Sequence, residues 1–138
     1  MPSTVSYKTE FEAAYIQDEE LHAHRYRFEV TVCGPQRSED HGFVIDYRTL
    51  GKYVNHISLQ GCFLASESSE NSSIAVIANL IEQTGVTVHW FVPKISIEML
   101  CEYLATKLQQ LLDRNEPGIR VIEAKLRETN DAFATYTP

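Results

Sequence analysis

The sequence predicts an α+β fold in which helices pack on one face of an antiparallel sheet. Three observations carry this expectation. Residues 5–14 and 21–30 alternate their side chains as a pair of half-buried strands does. Residues 96–113 repeat apolar residues at helical spacing. Residues 119–128 and 131–137 then return to strand-like alternation. The order is ββ, helices, ββ, and the 138 residues suit one domain, 1–138, with a full-sized core.

Each element has a local reason. From Val5 to Ala14, Tyr7, Thr9, Phe11 and Ala13 share one face. A short acidic link, Gln17-Asp18-Glu19-Glu20, leads into a second strand, and the two are expected to form an antiparallel hairpin. In that second strand His22, His24, Tyr26, Phe28 and Val30 point one way, while Ala23, Arg25, Arg27, Glu29 and Thr31 point the other. Cys33-Gly34-Pro35 ends it, and Gln36 to Gly42 reads as a polar loop. Asp46 suits a helix N-cap, because its carboxylate can accept the free amides of a first turn, with Leu50 and Val54 on one side. Cys62 to Ser73 is rich in Ser and Glu and reads as a loop. Ile74, Ile77, Leu80 and Ile81 have helical spacing, and Gly85 stops that helix. Val86 to Val92 reads as a short strand before Pro93. The strongest helix, 96–113, carries Ile97, Leu100, Cys101, Leu104, Leu108, Leu111 and Leu112 as a continuous stripe, with Ser96 as its cap. Asn115-Glu116-Pro117-Gly118 is a turn, after which Ile122, Ala124 and Leu126 are expected on one strand face.

Composition narrows the function classes. At 43% hydrophobic and 22% charged the chain resembles an ordinary soluble globular protein. A net charge of −7 and the lack of any basic run argue against nucleic acid as a partner. No apolar stretch approaches the ~20 residues a membrane span needs. Met1-Pro2-Ser3-Thr4 lacks a charged and an apolar stretch, so no signal peptide is expected. The three cysteines, Cys33, Cys62 and Cys101, are isolated, so a reduced, cytoplasmic setting is expected. Cys33 and Cys101 read as small buried hydrophobes.

Two features break the apolar pattern. His22 and His24 put two imidazoles at the end of an otherwise apolar face, where they can be two ligands of a metal site or two partly exposed strand-end histidines. Glu128 continues the face of Ile122, Ala124 and Leu126. A carboxylate there must either escape to water or find a partner, because desolvating its charge costs several kcal/mol. A ligand with two parallel N–H donors is one such partner.

Together these pieces resemble the 6-pyruvoyltetrahydropterin synthase and 6-carboxytetrahydropterin synthase family. Phe11-Glu12-Ala13-Ala14 resembles its Phe-x-Ala-Ala-His opening, and His22-Ala23-His24-Arg25-Tyr26 its His-Gly-His-x-Tyr. Gly42-Phe43-Val44-Ile45-Asp46-Tyr47 resembles Gly-Met-Val-x-Asp-Phe, and Ser96-Ile97-Glu98-Met99-Leu100 resembles Thr-x-Glu-Asn-Leu at a helix start. Glu128-Thr129, followed by Ala134 and Tyr136, resembles the Glu-Thr pterin anchor. The resemblance implies the tunnelling fold, ββααββ, assembled as trimers or hexamers with sites at subunit interfaces. It implies a pterin or related heterocycle held by Glu128, Thr129 and Ser96. It implies zinc or another divalent metal on His22 and His24.

The motifs also depart from the family. The third zinc histidine is replaced by Tyr15, whose phenol, with an ordinary pKa near 10, is a poor zinc ligand at pH 7. His41, His56 and His89 are other available donors. The catalytic cysteine, four residues before the histidine pair, is replaced by Asp18, with Glu19 next to it. Either acid can serve as a base if burial raises its pKa, and three adjacent acids also suit a solvated loop. The Asp-His-x-x-Leu-Asn motif is matched by Asn55-His56-Ile57-Ser58-Leu59-Gln60, or alternatively falls at Gln60-Gly61 with no catalytic residue. The first alignment makes His56 the proton-transfer histidine and leaves 61–92 as an insertion, either part of a remodelled pocket or a surface addition. The expected function is a divergent, lyase-type or recruited biosynthetic enzyme with altered metal and proton-transfer residues. The alternative is a catalytically inactive pterin-binding or scaffold protein on the same fold.

Overall fold

The computed structural model describes residues 3–17, 20–35, 44–66, 72–91 and 95–138. Its backbone is a long hairpin. β1 (Ser3–Gln17) and β2 (Glu20–Gly34) are 15 residues each and pair antiparallel from Ser3 opposite Gly34 to Gln17 opposite Glu20. The alternation expected for 5–14 therefore continues further at both ends. α1 (Tyr47–His56), β3 (Cys62–Ser66), α2 (Ser72–Gln83), β4 (Val88–Phe91), α3 (Ile97–Asn115), β5 (Arg120–Arg127) and β6 (Phe133–Tyr136) follow. The sheet order is β4-β3-β1-β2-β5-β6. β1, β2, β5 and β6 are joined antiparallel, which is the expected ββ…ββ frame.

The main core lies on the face of that frame that α1 and α3 cover. Phe11, Ala13, Tyr26, Phe28, Val30, Val121, Ala124 and Leu126 meet Leu50, Val54, Leu100, Leu104 and Leu108 there. Burying each large side chain is worth roughly 1.5–3 kcal/mol. Asp46 caps α1 as expected, accepting from the Arg48 amide at 2.8 Å, and Ser96 caps α3, accepting from the Met99 amide at 3.1 Å. Gly51 lets α1 approach β1: a Cβ there would sit 2.9 Å from the Tyr7 ring. Gly85 follows α2 at φ +93, a backbone conformation that suits glycine.

Three findings differ from the sequence reading. Cys62 to Ser66, expected within a loop, is the strand β3, with Cys62, Phe63, Leu64 and Ala65 all buried. A strand covered on both faces has no polar alternation to reveal it. The inserted region forms a β3-α2-β4 unit in which β3 pairs parallel with β1 and β4 pairs parallel with β3. α2 packs on the opposite sheet face from α1 and α3, in a second cluster of Phe63, Ala65, Ile74 and Ala78 with Ala14 and Ile16. Finally, Ile122 leaves the face of Ala124 and Leu126 and is 37% exposed. The register against β2 jumps from Glu123 to Val121, so Ile122 is the extra residue of a β-bulge and Val121 takes its place inside.

Cys62 and Cys101 are buried and Cys33 is half-buried; all three are free thiols. The loop expected at 36–42, His41, Asp18 and Glu19 fall outside the described residues. No helix among the described residues is long and apolar enough to cross a membrane.

Candidate metal and ligand site

Strand register brings the unusual residues together. Tyr15 lies opposite His22, Ala13 opposite His24, and Phe11 opposite Tyr26. On the other side of β2, Leu126 lies opposite Phe28. Continuing that antiparallel register by two residues sets Glu128 beside Tyr26 and diagonal to His24. Tyr15, His22, His24, Tyr26 and Glu128 share the face that α1 and α3 cover. Burial falls along β2 from Tyr26, which is 0% exposed, to the half-buried His24 and His22.

The polar atoms converge. His24 Nε2 is 3.0 Å from Glu128 Oε1. The Tyr15 hydroxyl donates to the same oxygen at 3.2 Å. The Tyr15 ring stacks on His22, with centroids 5.0 Å apart and planes 9° from parallel. The His24 ring meets the Tyr26 ring edge-on at 6.0 Å. Metal-capable atoms of His22, His24 and Glu128 all lie within 4.8 Å of one another. Burial, and then the Glu128 charge, push the Tyr15 phenol up to about 12. The Tyr26 phenol is driven higher still by burial and by Glu128. Its hydroxyl is buried near Tyr15 and Glu128 without a well-formed hydrogen bond.

Glu128 is held by its backbone. Its amide donates to Ala132 O at 2.9 Å, and Thr129 Oγ1 accepts from the amides of Ala132 at 3.0 Å and Asp131 at 3.3 Å. Thr129 thus builds the β5–β6 turn. Ser96 Oγ is engaged as the α3 cap. His56 is exposed in the last turn of α1. Among the described residues neither Ser96 nor His56 makes a hydrogen bond or ion pair to the cluster. His89 is on β4, at the far edge of the sheet, stacked against Phe91. Gln60, the alternative motif position, accepts from the Glu12 amide at 2.8 Å, while the Gly61 amide donates to Glu12 O at 2.7 Å. This pair therefore ties β3 to β1. Tyr15, His22, His24 and Glu128 are brought together.

Sequence reasoning missed two things: Glu128 as a neighbour of the histidines, and Tyr26 as a buried polar group beside it. The face pattern Ala124, Leu126, Glu128 held the clue to the first. It becomes a contact only when β5 is known to pair with β2.

The sequence matches the family model for 6-pyruvoyl tetrahydropterin synthase over residues 4–138. The chain belongs to that family. No curated protein matches it closely in sequence. Among solved structures it is similar to the 6-pyruvoyl tetrahydropterin synthase of Plasmodium vivax, at 16% identity and a TM-score of 0.70, over 99% of this chain and 97% of that one. The Plasmodium falciparum synthase matches at 18% identity and TM-score 0.65, over 98% and 96%. An uncharacterized protein of Wolinella succinogenes matches at 14% identity and TM-score 0.73, over 99% and 98%. At such identities the shared property is the fold, here the tunnelling fold with β3-α2-β4 between its helices. The chain carries a donor set that suits a divalent metal: two imidazoles and a carboxylate, half-buried, at one end of the sheet.

Proposed function

We propose that this synthase-family protein binds a divalent metal and a small heterocycle with a pterin-like edge at the His22, His24 and Glu128 cluster. On this reading it is a lyase-type or recruited biosynthetic enzyme. The observation that supports the reading is the convergence of those three side chains within 4.8 Å on one sheet face. His22 and His24 would hold the metal, which when bound polarises a ligand oxygen. Glu128 accepts N–H donors from the heterocycle. Thr129 shapes the turn that presents Glu128, and Ser96 stands at the start of α3.

Proton transfer falls to Asp18, Glu19 or His56. A glutamate is a catalytic residue in the Plasmodium vivax synthase, so a carboxylate near position 18 is a chemically sufficient base. The site is proposed to work in a cytoplasmic homo-oligomer, trimer or hexamer, of single-domain chains.

A second reading is a binding protein without turnover. It is favoured by Tyr15, which stands where the resemblance puts the third zinc histidine and whose hydroxyl donates to Glu128. One experiment separates the two. Purified protein is assayed for metal content and incubated with dihydroneopterin triphosphate and other reduced pterins, with binding and product measured together. Metal and product that both disappear in His22→Ala support the enzyme. Tight pterin binding without product, in metal-free protein, supports the binder. Absence of both metal and pterin binding refutes the shared premise.

A further inference from the structure

We infer that Glu128 is the third metal ligand, completing a two-histidine, one-carboxylate site, and that Tyr15 is the residue that positions it. The inference rests on the metal-binding reading above and adds the identity of the ligands.

Four observations lead to it. His24 Nε2 and Glu128 Oε1 are 3.0 Å apart. Two donors each about 2.0–2.1 Å from one zinc-sized ion are about 2.9–3.4 Å apart, so this pair already has a shared-ion spacing. Next, the Tyr15 hydroxyl points its proton at Glu128 Oε1, at 3.2 Å. A phenol that donates a hydrogen bond is not offering an anionic oxygen to a metal. Third, Tyr15 touches two members of the donor set at once, through the bond to Glu128 and the stack on His22. That is how an outer partner fixes ligand orientation. Fourth, the Glu128 side chain is 14% exposed, with its Oε1 turned into the cluster against His24 and Tyr15 rather than out to water.

The chemistry follows from the set. Two imidazoles and one carboxylate suit Zn2+, Fe2+ or Co2+ rather than Ca2+ or Mg2+, and leave coordination positions open for a ligand. Commitment of Oε1 to the ion also leaves one carboxylate oxygen for the heterocycle. That oxygen, with its two lone pairs, is the acceptor for the ligand's N–H donors.

The test is titration of chelator-treated full-length protein with Co2+, followed by visible absorption and calorimetry. The wild type is expected to take one equivalent per chain. Glu128→Gln, which keeps shape but loses charge, is expected to weaken binding by more than about a hundredfold. Tyr15→Phe, which removes only an outer hydrogen bond, is expected to weaken it by about tenfold. Cu2+ added to the wild type is expected to give no phenolate charge-transfer band. That measurement needs no variant and stands even if Glu128→Gln folds poorly. A phenolate band, or Co2+ binding by folded Glu128→Gln equal to wild type, overturns this inference and leaves the metal-binding reading intact. A wild type that takes up no metal overturns both.

Discussion

Tyr26→Phe tests the physical state of the site without any ligand. Tyr26 is 0% exposed, and its hydroxyl lies buried beside Tyr15 and Glu128 without a well-formed hydrogen bond. Burying a hydroxyl without a partner costs roughly 1–3 kcal/mol. Deleting the oxygen leaves a void of about 10 Å³, which costs only about 0.2 kcal/mol at the usual cavity rate. The ring stays stacked on Phe11, 5.1 Å away, so packing is otherwise conserved. The substitution should therefore stabilise metal-free, ligand-free protein by about 1–2 kcal/mol, raising Tm by a few degrees. Urea unfolding followed by far-UV circular dichroism measures this, with an unchanged m-value as the control. Destabilisation of about 1 kcal/mol or more would show that the hydroxyl is bonded, and the reasoning would be wrong.

Other outcomes follow from the same contacts. Tyr15 is held up to about 12 by burial and Glu128, so a spectrophotometric titration should show Tyr15 and Tyr26 resisting ionisation where free phenols titrate. Because the unfolded phenols lose their protons first, stability should be unaffected below about pH 10 and fall above it, at up to roughly 1.4 kcal/mol per pH unit for each such tyrosine. Stability that is flat to pH 12 would contradict their burial. Asp46→Ala removes the bond to the Arg48 amide and should cost about 1 kcal/mol by chemical denaturation, whereas a change under about 0.3 kcal/mol would show that the cap is idle. Dihydroneopterin triphosphate should yield little or no pyruvoyl or carboxy product, since Tyr15 stands where the resemblance puts the third histidine and its hydroxyl donates to Glu128 instead; efficient conversion would refute this.

What the sequence revealed depended on whether the signal was local. The hairpin and α3 were legible because alternation at Tyr7 to Ala13 and the stripe from Ile97 to Leu112 are written in consecutive residues. The caps at Asp46 and Ser96 were legible for the same reason. β3 was not, because Cys62-Phe63-Leu64-Ala65 is buried on both faces and carries no period. Nor was the side of the sheet that α2 covers, which depends on β3 pairing with β1. The bulge at Ile122 shifted a face that looked regular. At the site, the two histidines and Glu128 were each conspicuous alone. Their meeting required the β2–β5 register, and the hydrogen bond from Tyr15 to Glu128 required the β1–β2 register as well.

The most direct test of the account is anomalous diffraction from a crystal of the protein equilibrated with Zn2+ or Co2+, recorded at the metal's absorption edge. The account predicts one peak per chain between His22, His24 and Glu128, within about 2.0–2.2 Å of each donor atom. No peak there, with His24 still bonded directly to Glu128 at saturating metal, would contradict it.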